Sequence, residues 1–312
     1  MRIGVFIGEV SGARTTVDDL LAAARDAEAR GFACGWVPHI PWSLDALTAL
    51  ALVGQVTARI ELGTAVVPTY PRHPLAMAHQ AMSTQAATAG RLALGVGPSH
   101  PIVIEGMHGL PYEAPARHTR EYVEVLRAAF AGAGHVEYRG ECFSFSSMLT
   151  VPGSTPAPIM VAALAPRMLK VAGELADGTI TYWANERAIG EHIAPGITAA
   201  AETAGRPSPR VVVGLPVAVC DDADAGRERA AKLFATYLNI PTYQRILARG
   251  GDDTAPADVA IIGTEAEVTE RLRSYAAAGA TDLCATALGL DDDREASQRR
   301  TIELLASLTP DL

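Results

Sequence analysis

What this chain lacks narrows its class first. Its four cysteines, Cys34, Cys142, Cys220 and Cys284, stand far apart and form no Cys-x-x-Cys pair, which disfavours zinc ribbons and redox dithiols. Reduced, mostly buried thiols in a cytoplasmic protein are the reading that remains. No His-x-His, His-Glu-x-x-His or comparable ligand set occurs, so no metal site is expected and a metallohydrolase is disfavoured. Gly4, Gly8 and Gly12 follow or sit in the first apolar run without the Gly-x-Gly-x-x-Gly spacing of a Rossmann fold. No apolar run approaches the ~18 residues of a membrane helix; the stretch from Ala46 to Val56 is too short, and Gln55 and Arg59 close it. Met1 leads directly into a strand-like run, which argues against a cleaved signal peptide. The net charge is −9 with no Lys/Arg block, so nucleic acid is not an expected partner. An anionic ligand can still bind locally, at helix N-termini and a few arginines. Aromatic residues make up only 5%, leaving Ala, Val and Leu to fill the interior.

What is present is length and a rhythm. The 312 residues, 49% of them apolar, suffice for two average domains or one large α/β barrel. Short apolar runs alternate with amphipathic ones. Ile3 to Ile7 reads as a strand covered on both faces, and Thr16 to Arg30 as a helix stopped by Gly31. Phe32 to Val37 is the next strand, followed by a helix from Leu44 to Thr57. Strands at 59–68 and 91–100 enclose a helix from Pro74 to Ala89. The alternation breaks at residues 99–116, which are rich in His, Pro and Gly. A helix from Arg117 to Ala131 and a hairpin turning at Arg139-Gly140 follow. The rhythm resumes with strands at 158–162, 177–182, 210–219 and 281–287. Residues 240–258 read as irregular, a second candidate lid, and Thr264 to Glu267 as a capping box. Eight strands alternating with helices predict a (β/α)8 TIM barrel rather than an open sheet. An insertion follows the fourth strand at about 99–150, placed where functional loops usually sit.

Barrel geometry sends the strand ends to one mouth, so their residues are the candidates for chemistry. Gly63-Thr64-Ala65-Val66-Val67-Pro68 reads either as a buried strand ending at Pro or as a backbone bulge supporting a flat ring, with small Thr64 and Ala65 permitting close approach. Gly95 and Gly97 face one side of their strand and are expected to leave space there, with Ser99 and His100 at the mouth. His39, after Pro38, ends the second strand. Its near-neutral pKa makes it a proton-transfer candidate. His73 and His108 have weaker claims, and His79, inside a helix, reads as structural. Ala162-Ala163-Leu164-Ala165-Pro166-Arg167 joins a strand to a helix. It reads either as an ordinary loop or as a phosphate site of backbone amides with Arg167 or Lys170 adding charge. The Arg117 to Arg120 cluster reads as a solvated helix face.

Taken in order, Gly63-Thr-Ala-Val-Val-Pro-Thr-Tyr-Pro-Arg-His-Pro74, Ala89-Gly-Arg-Leu-Ala-Leu-Gly-Val-Gly97, Ala172-Gly-Glu-Leu-Ala-Asp-Gly178, Ile262-Gly-Thr-Glu-Ala-Glu-Val268 and Ala278-Gly-Ala-Thr-Asp282 resemble the luciferase-like monooxygenase superfamily, and within it the coenzyme F420-dependent oxidoreductases. The resemblance covers nearly the whole chain and implies a single TIM-barrel domain over 1–312. It further implies a flavin or deazaflavin at the mouth and, commonly, a homodimer. By position it implies a non-prolyl cis peptide at Ala65–Val66 behind the ring, with Thr64, Gly97, Pro98 and Ser99 also near it. The same matching puts Ala162, Ala163, Leu164 and Arg167 near the cofactor's phosphate, and makes His39 and His100 the acid or base candidates. Relatives often have Asp-His after the second strand, whereas this chain has Trp36-Val-Pro-His39. The expected function is therefore an F420-dependent hydride transfer to or from a small organic substrate. An FMN-dependent monooxygenase is the alternative, and a non-catalytic cofactor-binding protein a third reading.

Overall fold

Each short apolar run forms a parallel strand, and the helix after it returns the chain to the start of the next. A computed structural model describes residues 1–8, 15–132, 134–251 and 254–310; Gly12 and residues 252 and 253 of the expected second lid lie outside them. The elements are β1 (Arg2–Phe6), α1 (Val17–Ala29), β2 (Cys34–Val37), α2 (Ala46–Val53), β3 (Glu61–Thr64), β4 (Val67–Pro68), α3 (Pro74–Ala87), β5 (Leu92–Gly97), α4 (Pro101–Ile104) and α5 (Pro115–Phe130). Then come β6 (His135–Arg139), β7 (Ser144–Met148), β8 (Ile159–Ala162), α6 (Pro166–Leu175), β9 (Gly178–Tyr182), α7 (Glu186–Ala188), a π-helical turn over Ile189–Ile193, α8 (Ala194–Thr203) and β10 (Arg210–Val219). The chain ends with α9 (Ala223–Phe234), a 3-10 turn over Ala235–Asn239, α10 (Pro241–Arg249), α11 (Pro256–Val259), β11 (Ile261–Gly263), α12 (Glu265–Ala277), β12 (Asp282–Ala287) and α13 (Arg294–Ser307).

The strands run β12-β1-β2-β3-β5-β8-β9-β10, and β10 pairs back onto β12, which closes an eight-stranded parallel barrel. This is the (β/α)8 barrel that the alternation predicts. Closure leaves no open barrel edge. Thr16 and Thr264 cap their helices through reciprocal bonds with Asp19 and Glu267, so the expected second capping box is present. No described helix is long and apolar enough to cross a membrane. The four thiols are free; Cys34, Cys220 and Cys284 are buried and Cys142 is exposed.

Three expectations need correction. Residues 240–258 are not irregular: Pro241 starts α10, whose Ile246 and Leu247 are buried against the core, and Pro256 starts α11. The buried apolar residues described there, Ile246 and Leu247 in α10 and Pro256 and Ala257 in α11, are too few and too scattered to show a period in sequence. Ile261–Gly263 is a short further strand, paired with the far end of β10 beyond β9. The arginine cluster at the start of α5 is not simply a solvated face. Arg117 and Arg120 pair with Glu141 and Glu174, while His118 and Thr119 between them are buried. His79 is in α3 with an exposed side chain, so no packing role attaches to it.

Inside the barrel, glycines on neighbouring strands make room for one large ring. Trp36 is fully buried there. Gly4 and Gly63 on the flanking strands make its room: a Cβ on Gly4 would lie 2.8 Å from Trp36 Nε1, and one on Gly63 would fall within the indole. At the N-terminal end, Arg210 binds Glu61 at 2.8 Å and Asp282 at 2.7 Å, and Arg2 flanks both carboxylates. These charges pair with one another at the end opposite the mouth.

One break in the ladder shapes the mouth. Leu62 pairs with Leu92 and Gly63 with Ala93, but Val67 pairs with Val96 and Pro68 with Gly97. The offset drops from 30 to 29, so Thr64-Ala65-Val66 holds one extra residue, a β-bulge. The Ala65–Val66 peptide in it is cis, as the resemblance implies. Thr64 is fully buried, and its hydroxyl repairs the ladder: it accepts from Gly95 N–H and donates to Gly95 O, both at 2.8 Å. Thr64→Val keeps the volume and strands both Gly95 groups, so it is expected to lower stability by about 3 kcal/mol in urea unfolding. A change within about 0.5 kcal/mol would show that the clamp contributes nothing.

Candidate functional site

The mouth is floored by the bulge and its neighbours. Gly95 and Gly97 do not leave open space, as expected from sequence. A Cβ on Gly95 would collide with the Thr64 carbonyl and meet Val66 Cγ1 at 3.1 Å. One on Gly97 would meet Ala162 Cβ at 2.7 Å and Val66 Cγ2 at 3.1 Å. The glycines admit the bulged chain itself. What opens to the mouth is the layer above: half-buried Ala65, Val66, Pro98, Ser99 and Ala162, small and uncharged. Thr64, Gly97 and Ala163 are buried beneath them. Ser99 turns the chain through a left-handed conformation (φ 61°), and its carbonyl accepts from the Tyr112 hydroxyl at 3.2 Å.

His39 and His100 stand at the ends of β2 and β5. His39 Nδ1 accepts from the Ala46 backbone N–H at 3.3 Å. The neutral ring therefore carries its proton on Nε2. Burial lowers the His39 pKa; nearby Asp45 opposes this, and Arg72 and His108 add to it. Asp45 is itself ionised. Burial raises its pKa, but the Thr48 N–H and the Arg72 guanidinium outweigh that and bring it to about 2. Arg72 binds Asp45 at 2.6 Å and Gln80 at 2.7 Å, so its charge is spent locally. His100 is lowered by burial alone. Its Nδ1 is buried without a hydrogen-bond partner, and its ring meets Tyr243 of α10 edge-on, centroids 5.1 Å apart.

The β8–α6 loop supplies a different surface. Its N-cap residue, Ala165, gives α6 no side-chain cap, and Arg167 is exposed and makes no ion pair among the described residues. Lys170 pairs with Glu174 instead. The carbonyl of half-buried Leu164 meets His192 Nε2 at 2.8 Å, so the π-helical turn pins this loop. Uncapped amides beside a free guanidinium suit an anion.

Several residues at the mouth escape sequence reading. Tyr182 ends β9 and Trp183 follows it, and Tyr237 and Tyr243 come from the segment after α9; these rings pack on one another. Asn185 ties this cover down, donating to Gly250 O at 3.0 Å just past α10. Tyr182 closes the strand expected at 177–182, but nothing local links it to Tyr243. Tyr70, just after β4, stacks on His118 of the insertion (3.9 Å, 5°) along a groove of about 460 Å³ that Arg117, Cys142 and Phe143 also line. Burial brings His118 to about 4, against the pull of Glu121. Glu121 accepts from the backbone N–H of Glu141, Cys142 and Phe143, which fixes the hairpin turn. Among the described residues no group of three or more His, Cys, Asp or Glu is arranged to hold a metal.

Known proteins of similar sequence or fold include two reductases and a monooxygenase. The 5,10-methylenetetrahydromethanopterin reductase of Methanolobus tindarius is 29% identical, over 76% of this chain and 72% of its own. The solved coenzyme F420-dependent tetrahydromethanopterin reductase of Methanopyrus kandleri superposes with a TM-score of 0.77 at 21% identity, over 98% of this chain and 97% of that one. The oxygenating constituent of 3,6-diketocamphane monooxygenase from Pseudomonas putida, a type II Baeyer-Villiger enzyme in complex with FMN, superposes with a TM-score of 0.78 at 18% identity, over 100% and 98% of the two chains. At these identities the two structures bear on fold alone. The model of the luciferase-like monooxygenase family matches residues 1–282, and this chain belongs to that family.

Proposed function

We propose that this protein is an F420-dependent oxidoreductase that moves a hydride between the deazaflavin and a small organic substrate. The observation that carries the reading is the pairing of two neutral histidines, His39 and His100, with an uncharged floor of small residues at one barrel mouth. A flat ring fits such a floor. Ala65, Val66, Pro98 and Ser99 would lie against it, with Gly97 and Thr64 beneath as support. Ala163 and Leu164, the α6 amides and Arg167 would take its phosphate. When bound, the deazaflavin supplies the hydride chemistry at its C5. The FMN reading draws on the same floor and on the FMN-bound neighbour.

The two histidines divide the proton work. His39, with Nδ1 occupied by Ala46, presents only an N–H at Nε2 and serves as a donor to a substrate oxygen. His100 is free to adopt either tautomer, so it is the group able to take or return a proton. Tyr243 of α10 covers the His100 ring and keeps water from it.

Two adjacent surface helices also lack charge. Residues 46–57 and 73–90 contain no Asp, Glu, Lys or Arg, α2 packs on α3, and Leu52 is 43% exposed. Such a face suits a partner of the same kind, so a homodimer joined through α2 and α3 is part of this proposal.

Fluorescence titration is expected to show F420 binding at least about tenfold tighter than FMN, a difference of about 1.4 kcal/mol. Micromolar FMN binding with no F420 binding would reverse the ranking. His100→Ala is expected to lower kcat about 100-fold while changing cofactor affinity less than about threefold. In the substrate-oxidising direction His100 must be neutral. Burial depresses its pKa, so turnover should fall with acid through a midpoint below the ordinary 6.5. That acid limb should be absent from His100→Ala; a midpoint above 6.5, or an unchanged limb in the variant, contradicts the role. Light scattering is expected to find a dimer that Leu52→Glu with Ala76→Glu converts to monomer. A dimer that survives both changes places the interface elsewhere.

A further inference from the structure

The mouth carries a selectivity that the hydride reading does not specify. In a chain with only 6 Phe, 8 Tyr and 3 Trp, five of these rings gather with His100 over the strand ends. Tyr182 lies 5.0 Å from Trp183, 5.9 Å from Tyr237 and 6.2 Å from Tyr243. Phe234 closes on Trp183 at 4.8 Å, and Tyr243 reaches His100 at 5.1 Å. These contacts are edge-on or tilted rather than stacked, the arrangement in which a further flat ring finds both faces and edges to meet.

Two polar ring atoms buried in this shell, His100 Nδ1 and Trp183 Nε1, have no hydrogen-bond partner. Buried polar groups are nearly always paired, so each marks a place where a ligand atom is wanted. Charge is missing from the same surface. None of the described residues 6–8, 37–39, 64–70, 97–104, 162–166, 181–185 and 286–290, which end seven of the eight barrel strands, is Asp, Glu, Lys or Arg; after the eighth, β10, Asp221 pairs with Arg300 and Asp222 caps α9. Three arginines near the strand ends are engaged or stand at the rim: Arg72 binds Asp45 and Gln80, exposed Arg245 sits beside Thr242, and exposed Arg167 starts α6, where the phosphate is proposed. An ionised ligand would lose its water here without gaining a counter-charge.

We propose that the substrate is an uncharged aromatic compound bearing a carbonyl or hydroxyl oxygen, its ring among Tyr182, Tyr237 and Tyr243 and its oxygen on His100. The proposal deepens the oxidoreductase reading and rests on it for the word substrate. Tyr243 is then a specificity-determining residue, since its ring joins α10 to His100.

The test is calorimetric titration of the full chain, with and without saturating F420, using three probes: 2-acetonaphthone, its anionic counterpart 2-naphthoate, and the saturated cyclohexyl methyl ketone. The expected result is that 2-acetonaphthone binds at least about tenfold tighter than either of the others. Tyr243→Leu should weaken it about fivefold, the scale of one aromatic contact, and leave F420 affinity unchanged. Tyr243→Phe, which keeps the ring, should stay within about twofold of the parent and guards against a folding defect in Tyr243→Leu. Naphthoate binding as tightly as the aromatic ketone, the saturated ketone doing so, or a folded Tyr243→Leu with unchanged ketone affinity would each overturn the proposal. F420 binding without the ketone preference removes the substrate class and spares the oxidoreductase reading; the ketone preference without F420 binding does the reverse.

Discussion

The mouth of this barrel depends on one side chain. Thr64 offers its hydroxyl to both backbone groups of Gly95, and so holds a sheet together across the one position where its register slips. A bulge in a closed barrel leaves backbone groups unpaired in a dry interior, a cost of about 1–3 kcal/mol for each. A residue with one donor and one acceptor on a short, branched stem meets both at once. Glycine opposite is the other half of the arrangement, because any Cβ there would strike the Thr64 carbonyl. With the bulge held, Ala65 and Val66 are carried up to the rim beside Ala162 and Pro98. The floor of the site follows from that placement.

The second constraint is electrostatic. The barrel keeps its charges at the far end, where Arg210, Arg2, Glu61 and Asp282 satisfy one another, and beside the mouth in the closed Asp45–Arg72 pair. The histidines at the mouth are left in an environment that favours their neutral forms. Neutral imidazole suits chemistry in which a proton must move without a lasting charge nearby. The hydrogen bond from Ala46 then distinguishes the two rings, fixing the tautomer of His39 and leaving that of His100 free.

The eight strands were legible because each is a short apolar run bounded by Gly, Pro or a cap, and parallel strands covered on both faces need little else. The bulge at 64–66 was legible as one of two readings, and the family resemblance supplied its cis bond. The direction of Thr64 was not, since its partner Gly95 lies on another strand and small residues carry no pattern. Gly95 and Gly97 looked like vacancies for the same reason: sequence shows a missing side chain but not what fills its place. Tyr243 was hidden more deeply. Its helix has only Ile246 and Leu247 to mark a buried face, and its meeting with Tyr182 and His100 is purely tertiary.

In the proposed reaction a deazaflavin lies on the layer above the Thr64–Gly95 clamp, and His100 faces what reacts with it. The crystal structure of the protein grown with F420 tests this most directly. The account predicts the ring against Ala65, Val66 and Ser99, its phosphate at the start of α6 near Arg167, and the mouth beside His100 left for substrate. A ring bound elsewhere, such as in the groove between Tyr70 and Phe143, or a phosphate away from α6, would contradict it.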